Sequence, residues 1–348
     1  MTGTWRVLVP GAEWDEVLAC FAGHGLDDIY FDHRYLSLYA HGGARAEALV
    51  YAGSDDLFFF PFLRSPIDGT DWYDFETAYG YGGPLATTER PDFLADAWAA
   101  FGSAAAELRM IAGLVRFHPL LRTERFAAHG PLDILPERRT VLIRLDRSAE
   151  TVWHDYADDN RRKIRKAEKL GLRIEEEAGL AALSRFSTLY RARMDELQAE
   201  AGYLFAEEYF AGIAALGEGR HMVCRAVLDG ETVGGALLLL GRQFAHYHLS
   251  ASRSDRFSLA PNNALRHAAI LAHLGGGRRI MHFGGGLSGD PADTLLAFKR
   301  KFSRETAEFS IGRCVLDRKP YDDLRAAWAH AHPDRLPRYG GYVLCYRF

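Results

Sequence analysis

Two periodicities divide the chain. EALVYAGSDDLFFFPFL (47–63) holds two apolar runs around Gly-Ser-Asp-Asp, the pattern of a hairpin. HMVCRAVLDGETVGGALLLLG (221–241) repeats it around an Asp-Gly turn. QFAHYHLSAS (243–252) alternates, with Phe244, His246, His248 and Ser250 on one face and Ala245, Tyr247 and Leu249 on the other. LVRFHPLL (114–121), TVLIRL (140–145), LRIEEE (172–177), RRIMHFGGG (278–286) and the closing GYVLCYRF (341–348) also read as strands. Helical spacing appears near 13–24, over the Ala-rich 91–112, in segments across 180–217, and near 320–331. PNNALRHAAILAHLGGG is a helix with Pro261 at its first position and Gly275 near its end.

Strand hairpins followed by strand–helix–strand order occur in both halves. That predicts an α+β chain with a mixed sheet in each half. The charge pattern shifts sharply near 146–152, which fits a boundary there. The length of 348 residues suits two domains.

Composition narrows the classes. At 48% hydrophobic and 25% charged residues, the chain is globular rather than disordered. No apolar run approaches the ~18 residues of a membrane span. The N-terminus lacks a basic start followed by a long apolar core, and Cys20, Cys224, Cys314 and Cys345 lie far apart. Both features fit a cytoplasmic protein. A net charge of −4 argues against a nucleic-acid-coated protein without excluding a local basic contact.

Four stretches carry candidate chemistry. In HFGGGLSGDPADTLLAFKRKF (282–302), a strand runs into Gly284, Gly285 and Gly286. A helix then opens with Asp290 as N-cap, Pro291 first and Asp293 three residues in. Lys299 falls beside the stripe Leu295, Phe298 and Phe302. It is either a snorkelling lysine at a core edge or a cation aimed at a phosphate or developing oxyanion. The glycines would let a ligand approach bare backbone. The spacing matches neither GxGxxG nor GxxxxGK[ST].

NRRKIRKAEKLG (160–171) has an apolar seam of Ile164, Ala167 and Leu170 and a covering of cations. Arg161, Arg162, Lys163 and Arg165 are candidate phosphate contacts, set against a solvated basic face. In AYGYGGPL (78–85), Tyr79 and Tyr81 flank Gly80, and Gly83 lies in the turn; aromatics here suit either a substrate wall or a packed loop. His246 and His248 have no third ligand at convincing spacing, so no metal site is expected. No GxSxG is present.

Taken in order, AYGYGGPL, NRRKIRKAEKLGLRIE (160–175), YRARMDELQAEAGYLFAEEYF (190–210), YHLSAS (247–252), APNNALRHAAI (260–270) and the glycine-lysine stretch resemble the Fem family. Its members are aminoacyl-tRNA-dependent transferases that build peptidoglycan cross-bridges. The resemblance spans about 47–302. It implies two tandem domains of the GNAT (acyl-CoA N-acyltransferase) fold, residues 1–148 and 149–319, with 320–348 packing back on the first and with YHLSAS and the glycine strand as splayed central strands of the second.

The resemblance also implies a function: transfer of an amino acid from aminoacyl-tRNA, the co-substrate, to the amine of a peptidoglycan precursor, peptide or nucleotide-linked small molecule. No further cofactor is implied. Lys299 would be catalytic. Tyr79, Tyr81, Gly83, Tyr203, Tyr247 and Gly284 to Gly286 would bind substrate, and Arg161, Arg162, Lys163 and Arg165 the phosphates of the tRNA acceptor end. The chain departs from many members in two ways. No room exists between Tyr209 and His221 for a coiled-coil arm, and GGPLATTE (82–89) offers Thr87 and Glu89 where some carry a carboxylate just after the Gly-Pro turn. An acyl-CoA-dependent N-acyltransferase and a non-catalytic GNAT-like binding module are the alternatives. Against the first, RFSLAPNNALRH (256–267) lacks the glycines of the R/Q-x-x-G-x-G/A pyrophosphate loop.

Overall fold

The computed structural model of the chain describes residues 3–290 and 292–348, with only the backbone at Ala201. Two compact units form: unit 1 is Met1–Glu137 with Glu308–Phe348, and unit 2 is Arg138–Ala307. Unit 1 opens with β1 (Thr4–Leu8), α1 (Ala12–Ala22), α2 (His33–Ser37), β2 (Arg45–Ala52), β3 (Leu57–Pro66), β4 (Tyr73–Glu76), β5 (Leu85–Ala86), α3 (Pro91–Glu107) and β6 (Met110–Arg116). β7 (Asp133–Arg144) leads into unit 2. There follow α4 (Ala149–Asp155), α5 (Asp158–Lys169), β8 (Arg173–Glu177), α6 (Leu180–Glu196), α7 (Glu207–Ala215), β9 (His221–Leu228), β10 (Glu231–Leu240), β11 (Phe244–Ser252), α8 (Pro261–Leu271), β12 (Ile280–Gly285) and α9 (Thr294–Lys299). The chain returns to unit 1 as β13 (Thr306–Val315), α10 (Arg318–Ala331) and α11 (Leu336–Tyr339).

The two sheets repeat one plan. Unit 1 has the order β1-β2-β3-β4-β6-β13, unit 2 the order β8-β9-β10-β11-β12-β7. In each, only the fourth and fifth strands are parallel: β4 with β6, and β11 with β12. A parallel pair needs a crossover, supplied by α3 in unit 1 and α8 in unit 2. The sixth strand of each unit comes from beyond the other's stretch of sequence. β7 follows β6 in the chain but pairs with β12, and β13 follows β12 but pairs with β6. This exchange puts the division at 137/138 and 307/308, whereas the bounds expected from sequence are 148 and 319.

Burial on both faces explains the apolar run of β3. Phe58, Phe60 and Phe62 face α3, where Trp98 and Phe101 meet them at ring separations of 5.2–6.0 Å. Phe59 faces the opposite way onto Trp14 and Phe21. In unit 2, Val141, Ile143, Leu238, Tyr247, Leu265, Ile270, Met281 and Phe283 form the core between sheet and helices.

Several expected elements change on folding. Residues 110–112, assigned by their apolar run to the Ala-rich helix, open β6 instead; the reversal is made at Arg109, whose φ is 57°. The closing strand at 341–348 is a turn ending in a 3-10 helix, Cys345–Arg347. Leu344 packs with Ile67, Ile111 and Tyr321, and Arg347 reaches the buried Asp74 at 2.6 and 2.9 Å. Those anchors hold the segment without a ladder. The seam of α5 runs through Asn160, Ile164 and Ala167, while Leu170, expected in it, is exposed. Asn160 occupies that inner face because its amide is satisfied there, donating to Lys301 O at 3.2 Å and accepting from Asn263 at 2.7 Å. Between α6 and β9 lies only a 3-10 turn and α7, so no coiled-coil arm is present. Among the described residues, no helix is long and apolar enough to cross a membrane.

Candidate active site

The site grows from the parallel pair of unit 2. β11 and β12 hydrogen-bond only at Phe244–Ile280, Ala245–Met281 and His246–His282. Beyond that, β11 stays with β10 and β12 with β7, so the two strands part. A bulge in β11 strengthens the divergence: Leu249 and Tyr247 pair with successive residues of β10, leaving His248 unopposed. Side chains of Tyr247, Phe283, Arg266, Phe298 and Lys299 gather where the strands separate.

Lys299 is the last residue of α9 and is 9% exposed. Its Nζ donates to Gly285 O at 2.6 Å. Burial foremost, with Arg266 and Arg138 adding to it and Asp293 opposing, brings its pKa down from 10.5 to about 7. The helix that delivers it begins later than expected. Asp293, not Asp290, is the N-cap, accepting from Leu296 N at 2.8 Å. Its other oxygen accepts from Leu287 N (2.7 Å) and Ser288 N (3.0 Å). These bonds, that from Leu296 foremost, hold the carboxyl below its usual range. Pro291 lies outside the described residues.

The glycines therefore serve the protein's own packing. Gly284 has φ +69°, a left-handed conformation. A Cβ on Gly286 would collide with the Asp293 carboxylate, and one on Gly285 would meet Arg138 Cδ at 2.8 Å. Arg138 in turn donates to Gly286 O and Leu287 O, each at 3.0 Å. The bare faces of Gly285 and Gly286 are thus filled by Arg138 and Asp293, rather than left open for a ligand.

Arg266, on α8, escaped the sequence reading. It is 4% exposed, and its guanidinium lies over Tyr247 at 4.3 Å, Phe298 at 4.9 Å and Phe283 at 5.7 Å. Its only signal was a cation inside the apolar run ALRHAAIL (264–271). Burial pushes the Tyr247 hydroxyl up to about 12, with Arg266 acting against it.

The remaining expected residues are spread more widely. Arg161 donates to His154 O (2.9 Å), Tyr156 O (2.8 Å) and Trp153 O (3.4 Å), and pairs with Asp158. It closes the C-terminal end of α4, which makes it a structural cap rather than a phosphate ligand. Arg162, Lys163 and Arg165 are exposed on α5. Arg165 stacks over Trp153 at 5.3 Å, and a surface recess of about 330 Å³ is lined by Trp153, His154, Asp158, Arg161, Arg162 and Arg165. Tyr203 is 40% exposed, and its backbone carbonyl accepts from Tyr190 at 3.0 Å.

Tyr79, Tyr81 and Gly83 belong to unit 1. Tyr81 packs edge-on against Tyr30, His118 and Phe309; Tyr79 stacks on Tyr39; Gly83 lies against Thr123 and Phe117. Under Tyr81 is a buried pair that the sequence reading missed. His118 Nε2 donates to Asp28 at 2.7 Å, a tautomer set by Leu121 N donating to Nδ1 at 3.1 Å. Ninety residues separate these partners. In unit 2, His248 hydrogen-bonds Tyr209 at 2.6 Å, and burial lowers its pKa to about 3.

Comparison with known proteins places this geometry. Residues 155–300 match the acetyltransferase (GNAT) domain model. No curated protein sequence matches the chain. Among solved structures, FemX superimposes with a TM-score of 0.73, at 13% identity, over 91% of this chain and 99% of that one. The C-terminal domain of a putative lysylphosphatidylglycerol synthetase from Agrobacterium fabrum gives 0.55, at 14% identity, over 93% and 96%. A tandem GNAT protein from the clavulanic acid biosynthesis pathway gives 0.53, at 12% identity, over 91% and 99%. At such identities the likeness is one of fold. The chain has the fold of the tandem GNAT proteins, FemX among them, and residues 155–300 within unit 2 match the GNAT domain model.

Proposed function

We propose that the chain is an acyltransferase that moves an amino acid from aminoacyl-tRNA to the amine of a peptide or small molecule. The observation that carries this reading is the buried amine of Lys299 at the parting of β11 and β12. An aminoacyl ester is already activated, so no covalent enzyme intermediate is required. The acceptor amine attacks the ester carbonyl, an oxyanion forms, and the ribose oxygen leaves. The proton lost by the amine matches the one gained by the leaving oxygen.

An amine whose basicity sits near pH 7 suits both demands. As ammonium it stabilises the oxyanion and protonates the leaving oxygen; as amine it takes a proton from the attacking nitrogen. Arg162, Lys163 and Arg165, with the face of Trp153, offer phosphate and base contacts to the RNA end.

The second reading is acyl transfer from a CoA thioester, favoured by the acetyltransferase-domain match at 155–300. Against it stands the approach to α8: Ser254–Leu259 is a 3-10 turn, and 256–267 contains no glycine for close pyrophosphate approach. Labelled aminoacyl-tRNA pools and acyl-CoA, each offered with candidate amines, separate the two. Transfer abolished by prior ribonuclease treatment is the expected result. Transfer that survives ribonuclease and requires acyl-CoA would transfer the assignment to the second reading.

A further inference from the structure

Among the described residues, two deeply buried arginines lie over aromatic rings, and only one is neutralised. Arg64, 7% exposed, lies 4.5 Å over Tyr73 and makes a two-pronged pair with Glu47 at 2.7 and 2.8 Å. That is how a structural guanidinium is stabilised away from water. Arg266 is buried still more deeply, among three rings, yet no carboxylate meets it. Among the described residues its sole hydrogen bond is from Nη1 to Asn262 O, at 3.3 Å. Nε is buried with no acceptor.

The guanidinium lies over three rings and its Nη1 donates to Asn262 O, so Nε and Nη2 are the nitrogens left without an acceptor among the described residues. Arg266 also lines a recess of about 190 Å³ that includes Ser250, Ser252, Asn262, Leu295 and Phe298. The recess contains no Asp or Glu, and its second arginine, Arg193, is already paired with Glu196 at 2.7 Å.

We propose that the Nε–Nη2 edge of Arg266 receives a carboxylate of the transferred group, so that the chain selects an acidic acyl or aminoacyl donor. The fork matches two oxygens of one carboxylate. A phosphate has the same chemistry, but proximity argues for the acyl group. Arg266 lies close enough to Lys299 to lower its basicity. In an aminoacyl ester or a thioester the phosphates are many bonds from the reacting carbonyl, whereas the acyl substituents are attached to it. Assignment of the carboxylate to the transferred group rests on the transfer reading; anion binding at Arg266 does not.

The test is calorimetric titration of the full chain with glutamate α-methyl ester, its neutral isostere glutamine methyl ester, and inorganic phosphate. The expected result is saturable binding of the glutamate ester, little of the glutamine ester, and a loss of roughly tenfold or more in Arg266→Met. That variant removes an uncompensated buried charge, so its melting temperature should hold or rise. Arg266→Lys keeps the charge without the fork and should also bind more weakly, which preserves the test if the methionine variant fails to fold. Equal affinity for the two esters, or unchanged glutamate-ester binding in the variants, overturns the proposal. Arg266-dependent binding of phosphate without the glutamate ester overturns the acidic-donor assignment. Any of these failures would leave ribonuclease-sensitive transfer of neutral amino acids intact, so the two readings fail separately.

Discussion

At the scale of single residues, the account turns on what burial does to a cation. Lys299 has a folded pKa of about 7, below its ordinary 10.5, so between those values the unfolded chain holds the extra proton. Stability attributable to this residue therefore rises with pH across that window, and burial of the ammonium costs most below about pH 7. Lys299→Met should melt at or above the wild-type temperature at pH 7, with the advantage shrinking toward pH 10. A melting difference that stays constant from pH 7 to pH 10 would contradict the lowered basicity. Turnover in the same variant should fall by about two to four orders of magnitude, the usual weight of an acid–base group, as measured in the transfer assay. Lys299 was legible because it interrupts an apolar stripe. Arg266 was not, because one cation in ALRHAAIL is equally compatible with an exposed edge, and only the rings of Tyr247, Phe283 and Phe298 reveal which way it faces.

At the scale of elements, short helices and their ends decide which charges are available. Asp293 serves three backbone N–H groups at once, starting α9 and pinning the turn that precedes it. Asp293→Ala should cost about 1–3 kcal/mol in chemical denaturation, from a lost cap and newly unpaired donors. On α5 the cations divide by role. Arg161→Ala should lower stability by about 1–3 kcal/mol, because it strips the donor from carbonyls at the end of α4. Arg162→Ala/Arg165→Ala should leave stability unchanged and flatten the salt dependence of RNA binding by roughly 0.7 log units per log unit of salt for each charge removed. An unaltered slope would return this face to plain solvation. Sequence spacing located α5 and its basic face but could not sort Arg161 from its neighbours, since the carbonyls it caps belong to the preceding helix. The start of α9 shows the same limit. Asp290 and Asp293 are both sound N-caps by type, and three-dimensional access to Leu296 N chose between them.

At the scale of the whole molecule, the repeated strand plan was legible in outline and its exchange was not. Hairpins at 47–63 and 221–241 announce themselves locally, through turn residues and alternation. Partner choice for β7 has no local signature, because TVLIRL (140–145) reads as an ordinary apolar strand whichever sheet it joins, and β13 is not among the strands that the pattern predicts. The buried Asp28–His118 pair was hidden for the same reason: its partners come from distant parts of the sequence. The exchange makes unit 1 depend on the end of the chain. β13 supplies its sixth strand, α10 covers Ile111 with Tyr321, and Arg347 neutralises Asp74, which is 1% exposed. Truncation after Ala307 should leave a chain that aggregates, with β6 uncovered. Arg347→Ala, which removes one prong-pair from a buried carboxylate, should lower the melting temperature without changing the transfer assay at temperatures below it. A melting curve identical to wild type would show the C-terminal anchor to be dispensable.

The most direct test of the central claim is a pH titration of the lysine side chains by NMR, with carbon-13 at Cε. The chain has only six lysines, Lys163, Lys166, Lys169, Lys299, Lys301 and Lys319, so each can be followed. One resonance is expected to titrate near pH 7 and to vanish in Lys299→Met. If no lysine resonance titrates near pH 7, Lys299 is not the poised amine on which the proposed chemistry depends.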